Sequence, residues 1–90
     1  MVPIYCINID YFDYANKIKN ILQSFDIQSQ VQERGSKSIE ELVDDKPNSY
    51  KIIVCYSDVE NNNVCIRKNS NQVDNINLNQ FGNYVKNFMV

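Results

Sequence analysis

The sequence contains no histidine and no tryptophan, and its 90 residues include only two glycines and two prolines. Without histidine, the usual general base of enzymes is missing and a zinc site with histidine ligands is impossible. The two glycines, Gly35 and Gly82, cannot form a glycine-rich phosphate-binding loop. No segment approaches the roughly 18 continuous apolar residues of a membrane-spanning helix. We therefore expect a soluble protein with no cofactor and no metal.

Three cysteines are present, none of them in a C-x-x-C pair. Cys6, Cys55 and Cys65 lie in apolar runs, where a free cysteine behaves as a small core residue. An odd set of thiols does not predict a disulfide framework. The apolar run 1–6 has no cationic segment before it and is too short for the apolar part of a signal peptide. These features favour an intracellular location, in the cytoplasm or the nucleus.

The chain also lacks an excess of positive charge. Nine lysines and arginines stand against eleven acidic residues, for a net charge of −2. Proteins that neutralise many phosphates usually carry a strong basic excess, so any RNA binding must depend on a local group of cations. The acidic residues at 40, 41, 44 and 45 fit a solvated helix face better than a cation-binding loop, since no glycine turn accompanies them.

Apolar runs and alternations predict the strands of one domain over residues 1–90. Residues 2–9 and 50–56 are almost continuously apolar, which is typical of strands buried on both faces of a sheet. Apolar residues and Ser29 alternate with glutamines over 27–33, which predicts a half-buried strand at a sheet edge. After a polar turn at 61–63, a fourth strand is expected over 64–67 and a weak fifth over 72–76.

Apolar residues spaced three or four apart predict three helices. Asp10, Ser38 and Asn77 can cap them, and Asp44, Asp45 and Pro47 end the second. The apolar stripes are Tyr11, Tyr14, Ala15, Ile18, Leu22 and Phe25 in the first helix, Ile39, Leu42 and Val43 in the second, and Leu78, Phe81, Val85 and Phe88 in the last. The order β-α-β-α-β-β-β-α predicts a three-layer α/β/α domain around a mixed five-stranded sheet.

Residues able to do covalent chemistry are few. Cys55 has no neighbour in sequence that would lower its pKa, and it lies in a predicted core strand. Ser57 and Asp58 follow that strand, but a serine nucleophile needs an activating base and none is evident, so this pair is interpreted as a turn. The sequence therefore predicts a protein that is not an enzyme.

Several segments, in this order and spacing, match a known pattern. They are Pro3-Ile4, DYANKIKNIL (13–22), VQERGSKSIEEL (31–42), YKIIVCYSD (50–58), VENNNVCIRK (59–68) and INLNQFGNYVKN (76–87). Over nearly its whole length the chain resembles the anticodon-binding domain of class II aminoacyl-tRNA synthetases of the histidyl, threonyl, prolyl and glycyl group. The resemblance implies the same β-α-β-α-β-β-β-α fold and an RNA-contacting role, within a synthetase or a ribonucleoprotein assembly.

The resemblance also implies which residues contact RNA. Arg34 matches an arginine that closes the second strand, Lys37 a basic residue just beyond it, Asp58 an acidic residue before the "VEN" segment, and Arg67 an arginine that ends the fourth strand, with Lys68 beside it. An arginine can donate two hydrogen bonds to a base edge, and a carboxylate can accept from an exocyclic amine. The exposed ring of Tyr56 could stack on a base.

Two departures from that pattern support an alternative function. Gly35 stands where a base-reading asparagine is usual, and Glu40 stands where the second helix normally offers an arginine. The alternative is a protein–protein interaction or dimerisation module on the same scaffold, whose contacts are Gln28, Gln30, Gln32, Glu40 and Glu41. An exposed edge strand can pair with a strand of another chain, so a homodimer is possible and a protein partner is expected. A tRNA or other structured RNA would bind weakly to the chain alone.

Overall fold

The computed structural model describes residues 1–44, 49–69 and 72–89. The strands are β1 (Val2–Cys6), β2 (Ser29–Glu33), β3 (Lys51–Val54), β4 (Asn63–Asn69) and β5 (Gln72–Asn77). The helices are α1 (Phe12–Ser24), α2 (Ile39–Asp44), α3 (Tyr56–Asn61) and α4 (Leu78–Tyr84). A 3-10 turn at Ile9–Tyr11 leads into α1, and a π-helical turn at Val85–Met89 extends α4.

All five strands belong to one mixed sheet, in the order β2-β1-β3-β4-β5. Strand β1 is parallel to both β2 and β3, whereas β4 pairs antiparallel with β3 and β5. The predicted α/β fold with a mixed five-stranded sheet is confirmed, including the weakly signalled fifth strand and the edge position of β2. Residues 70–71, between β4 and β5, lie outside the described ranges.

The main core lies between one face of the sheet and helices α1 and α4. Side chains alternate along a strand, and the even-numbered residues of β1, β3 and β4 point to this face. The buried core residues are Ile4, Cys6, Tyr14, Ala15, Ile18, Leu22, Ile52, Val54, Val64, Ile66, Phe81 and Val85. The predicted stripe of α1 is thus confirmed for its four central residues. Burial raises the pKa of Cys6 to about 11, so this thiol stays protonated as a core residue should.

The opposite face carries the odd-numbered residues of the same strands and is covered in part by α2. Ile53 and Cys65 are buried there, and Leu42 of α2 lines a cleft with Tyr5 of β1. The predicted cap of α2 is confirmed, because the backbone N–H of Glu41 donates to Ser38 Oγ at 3.2 Å. The expected helix terminators Asp45 and Pro47 lie outside the described residues.

Several boundaries differ from the sequence-based expectations, most of all at the ends of β1 and β3. Strand β1 ends at Cys6, and Ile9 is exposed in a 3-10 turn whose cap is Asn8 rather than Asp10. Strand β3 ends at Val54, and the segment interpreted as a turn contains α3. Helix α3 begins directly after Cys55, where Asp58 Oδ2 accepts a hydrogen bond from the Cys55 N–H at 3.0 Å. It ends at Asn62, which has the left-handed conformation with φ 55°.

The π-helical turn Val85–Met89 places Phe88 differently from the prediction. Phe88 was expected on the buried stripe, but it is 64% exposed. In a π-helix each hydrogen bond spans five residues instead of four, so the turn is wider. Consequently Met89, rather than Phe88, packs against the core after Val85.

Candidate nucleic-acid interface

One end of the sheet carries polar side chains that follow β2 and β3. Arg34 follows β2, and its N–H donates to the Cys6 carbonyl at 3.0 Å, which fixes it at the carboxyl end of the parallel strands. Cys55 and Asp58 follow β3 at the same end. The positive charges of Arg34 and Arg67 both lower the pKa of the Cys55 thiol, against the larger effect of burial, which raises it. Arg34 and Arg67 belong to β2 and β4, which lie on either side of the central strands β1 and β3.

Asp58 is the buried acid of this site, with 7% of its surface exposed. Burial raises the pKa of its carboxyl, while the hydrogen bond from the Cys55 N–H and the charge of Arg67 act in the opposite direction. The side chain is thus already engaged in capping α3. It therefore offers little free acceptor capacity to a ligand, and its negative charge acts on Arg67.

The raised pKa of Asp58 predicts a pH effect on stability. Because the folded-state pKa lies above that of the unfolded chain, the folded protein holds this proton more tightly. The wild type should therefore gain stability relative to an Asp58→Asn variant as the pH falls from neutral towards about 3.9. Urea unfolding of both proteins across that range measures the difference, and asparagine keeps an acceptor for the Cys55 N–H. A difference that stays constant with pH would contradict the desolvation of this carboxylate.

Arg67 is half-buried on β4, on the same face as Cys65. Its Nε is fully buried and has no hydrogen-bond partner within residues 1–44, 49–69 and 72–89. Burial raises the pKa of the Cys65 thiol, and the adjacent Arg67 side chain counteracts this effect. Arg67 pairs with Lys51, the first residue of β3, and its side chain lies on the sheet face beside Cys65.

Lys37 joins Arg34 in a neighbouring cleft of about 480 Å³. This cleft lies at the same end of the sheet and is also lined by Tyr5, Gln32 and Leu42. Arg34 therefore belongs both to the cleft and to the group around Cys55. We call Arg34, Lys37 and Arg67 the basic cluster.

The remaining predicted RNA-binding residue lies elsewhere. Lys68 follows Arg67 on β4, and adjacent residues of a strand point to opposite faces. Its Nζ lies 5.3 Å from the centre of the Tyr50 ring, in a cleft beside α4. The fold brings Arg34, Lys37 and Asp58 to the carboxyl end of the parallel strands. Arg67 shares a face of the sheet with Cys65 but pairs with Lys51 at the other end of β3, and Lys68 points to the opposite face. Tyr56, 63% exposed, begins α3 next to Cys55.

The residues of the alternative interface are divided as well. Gln30 and Gln32 line a cleft on the α2 face, while Gln28 precedes β2 and is exposed. Glu41 completes the cap of α2, since the Ser38 N–H lies 3.5 Å from its Oε1. Glu40 is exposed in the first turn of the same helix, three residues beyond Lys37. Its negative charge lies close in sequence to the basic cluster.

Sequence reasoning missed Cys65 and Tyr5 as parts of this surface. Alternation along a strand puts Cys65 and Arg67 on the same face of β4, which the sequence could have indicated. Tyr5 lies beside Gln32 because β1 and β2 pair in parallel. Within the described ranges, no three cysteine or acidic side chains are grouped so as to hold a metal ion. None of the helices in the same ranges is long and apolar enough to cross a membrane.

Comparison with known proteins adds one finding. No family model and no curated protein sequence matches the chain. Among solved structures, the chain is similar to the crystal structure of the RNA-binding domain of threonyl-tRNA synthetase from Cryptosporidium parvum, with a TM-score of 0.74 and 12% identity. The fold is of the anticodon-binding type. The match covers 96% of this chain and 22% of the other, so it bears on one domain of a longer protein.

Proposed function

We propose that this chain is a non-catalytic RNA-contacting module that binds RNA through the basic cluster. The observation that carries the proposal is the cleft of about 480 Å³ that Arg34 and Lys37 line together at the carboxyl end of β2. The similarity to an RNA-binding domain supports it. We further propose that the chain acts within a synthetase or a ribonucleoprotein assembly, because a protein of net charge −2 needs additional contacts to hold RNA firmly.

Each residue of the site has a distinct role in this proposal. The guanidinium groups of Arg34 and Arg67 donate to base edges or phosphates, and Lys37 adds a second charge at the mouth of the cleft. Tyr56 offers an exposed ring for stacking. Asp58, being buried, positions α3 and orients Arg67 instead of reading a base. Glu40 weakens the attraction for phosphates.

A fluorescence anisotropy titration with labelled tRNA and single-stranded RNA tests the proposal. Counterion release makes binding strongest at low salt, so we expect measurable affinity at about 50 mM salt and clearly weaker binding at about 200 mM. Absence of binding to either RNA at the lower salt concentration would overturn the RNA-contacting function for the isolated chain.

A second candidate function is protein–protein contact through the edge strand β2. The Val2 N–H donates to the Gln28 carbonyl, and the Arg34 N–H donates to the Cys6 carbonyl. The backbone N–H and C=O groups of the even-numbered residues of β2 therefore point towards β1. The odd-numbered residues, Ser29, Val31 and Glu33, therefore direct their N–H groups to the open edge, where a strand of a second copy could pair.

A proline substitution at the first residue of β2 tests whether this edge strand forms a dimer. Ser29→Pro removes one outward N–H without breaking the pairing to β1, because proline is tolerated at the first residue of a strand. If β2 forms a dimer, sedimentation equilibrium should show a dimer for the wild type and a monomer for the variant. A wild-type chain that is monomeric at every concentration would contradict self-association through this edge.

A further inference from the structure

A second cleft, of about 420 Å³, lies on the other face of the sheet, between the β4–β5 hairpin and the C-terminal helix. Its lining is aromatic and charged, and consists of Tyr50, Ile66, Lys68, Val73, Asp74, Tyr84 and Phe88. Clefts of about 300–1,000 Å³ are the usual size for small-molecule ligands. The sheet separates this aromatic cleft from the basic cluster.

Internal hydrogen bonds hold the two tyrosine rings in place. Tyr50 Oη donates to the Phe88 carbonyl at 3.0 Å, and Tyr84 Oη donates to Asp74 Oδ2 at 2.9 Å. The Phe88 ring lies 5.0 Å from the Tyr84 ring at an angle of 40° and is largely exposed. Because both hydroxyls are engaged and Lys68 lies over the Tyr50 ring, the exposed ring of Phe88 is the face that the cleft offers to a ligand.

Lys68 gives the cleft its positive charge. Its ammonium lies over the Tyr50 ring, a contact that leaves N–H donors available to an anion. Asp74 carries the opposite charge but is tied to Tyr84. An anionic ligand group is therefore attracted to the Lys68 side of the cleft and repelled from the Asp74 side.

We propose that this aromatic cleft binds one unpaired nucleotide of single-stranded RNA, with its base stacked on Phe88 and its phosphate on Lys68. An exposed ring next to a cation is the combination that single-stranded nucleic acid requires, since a base has an apolar face and a phosphate on the same unit. Phe88 lies outside the core cluster, so its exposed ring is accessible to a base. The site is separate from the basic cluster and does not depend on it.

Binding of a labelled oligoadenylate hexamer by the full chain tests the cleft. Loss of one stacked base should weaken binding of the Phe88→Ala variant by roughly 5- to 100-fold. Phe88 is exposed, so the variant should fold normally, as far-UV circular dichroism can check. Ile9→Ala removes another exposed apolar side chain, from the turn before α1, and should change the affinity less than about twofold. A stable GC-rich RNA duplex should compete poorly, because its bases are both paired and stacked.

Two results would overturn the cleft as a nucleotide site. One is wild-type affinity in the Phe88→Ala variant, and the other is equal competition by the duplex. Arg34→Glu, measured with the same hexamer, keeps the two proposals distinguishable. Weakening by Arg34→Glu alone would uphold the basic cluster and remove the aromatic cleft, whereas weakening by Phe88→Ala alone would uphold the cleft.

Discussion

Replacing Phe81 with alanine should lower the free energy of unfolding by about 3–5 kcal/mol. The ring of Phe81 is fully buried between α4 and the sheet, in the same cluster as Ile18 of α1 and Ile66 of β4. A domain of 90 residues has a total stability of about 5–10 kcal/mol, so this single cavity removes a large share of it. Urea unfolding followed by circular dichroism measures the loss as a shift of the midpoint.

The adjacent residue supplies the control for Phe81. An alanine Cβ at Gly82 would meet no atom within 4 Å, and the residue lies inside α4. Gly82→Ala should therefore raise stability by about 0.5–1 kcal/mol through helix propensity alone. If Phe81→Ala lowers the midpoint of urea unfolding and Gly82→Ala raises it, the loss in Phe81→Ala comes from packing and not from a general sensitivity of α4 to substitution. A loss below about 1 kcal/mol for Phe81→Ala would contradict its place in the core.

Most of the fold could be predicted because its signals are periodic. The apolar runs containing Ile4 and Ile53 predicted central strands, and the spacing of Ile18 and Leu22 predicted the buried face of α1. Even the weak segment around Ile76 proved to be a strand, since pairing with β4 supplies what its own composition lacks.

Features that depend on single side chains escaped this reasoning. Helix α3 is short and has no apolar stripe to reveal it, and it starts where the carboxylate of Asp58 happens to reach the Cys55 N–H. The exposure of Phe88 follows from a π-helical turn that the three-to-four spacing cannot anticipate. Such local choices decide which residues reach the surface, and therefore which can bind a partner.

The candidate site was partly predictable for the same reason. Arg34 and Lys37 follow one strand, and the resemblance to a synthetase domain indicated Arg67, but the sheet order, which sets β1 and β3 between their strands, could not be read from these residues. Arg67 and Lys68 were grouped because they are adjacent in sequence. The period of a strand separates them, and this separation now suggests two RNA contacts on opposite faces instead of one.

Arg34→Glu and Arg67→Gln should each weaken binding of the preferred RNA by roughly 5- to 100-fold, the effect of losing one two-donor contact to a base. Glutamine is chosen for Arg67 because a glutamate beside the buried Asp58 would add electrostatic repulsion and confuse unfolding with loss of binding. If an arginine contacts a phosphate, its variant should also reduce the slope of log affinity against log salt by about one.

Lys17→Glu provides the matched control for this pair. Lys17 is exposed on α1, across the sheet from the basic cluster, and the substitution changes the net charge by the same amount as Arg34→Glu. At about 0.15 M salt the Debye length is about 8 Å, so a distant reversal should alter affinity only about twofold. Equal losses in Lys17→Glu and Arg34→Glu would show that RNA responds to overall charge, and the basic cluster would then have no specific role. A loss confined to Arg34→Glu and Arg67→Gln would mean that this end of the sheet binds the RNA directly.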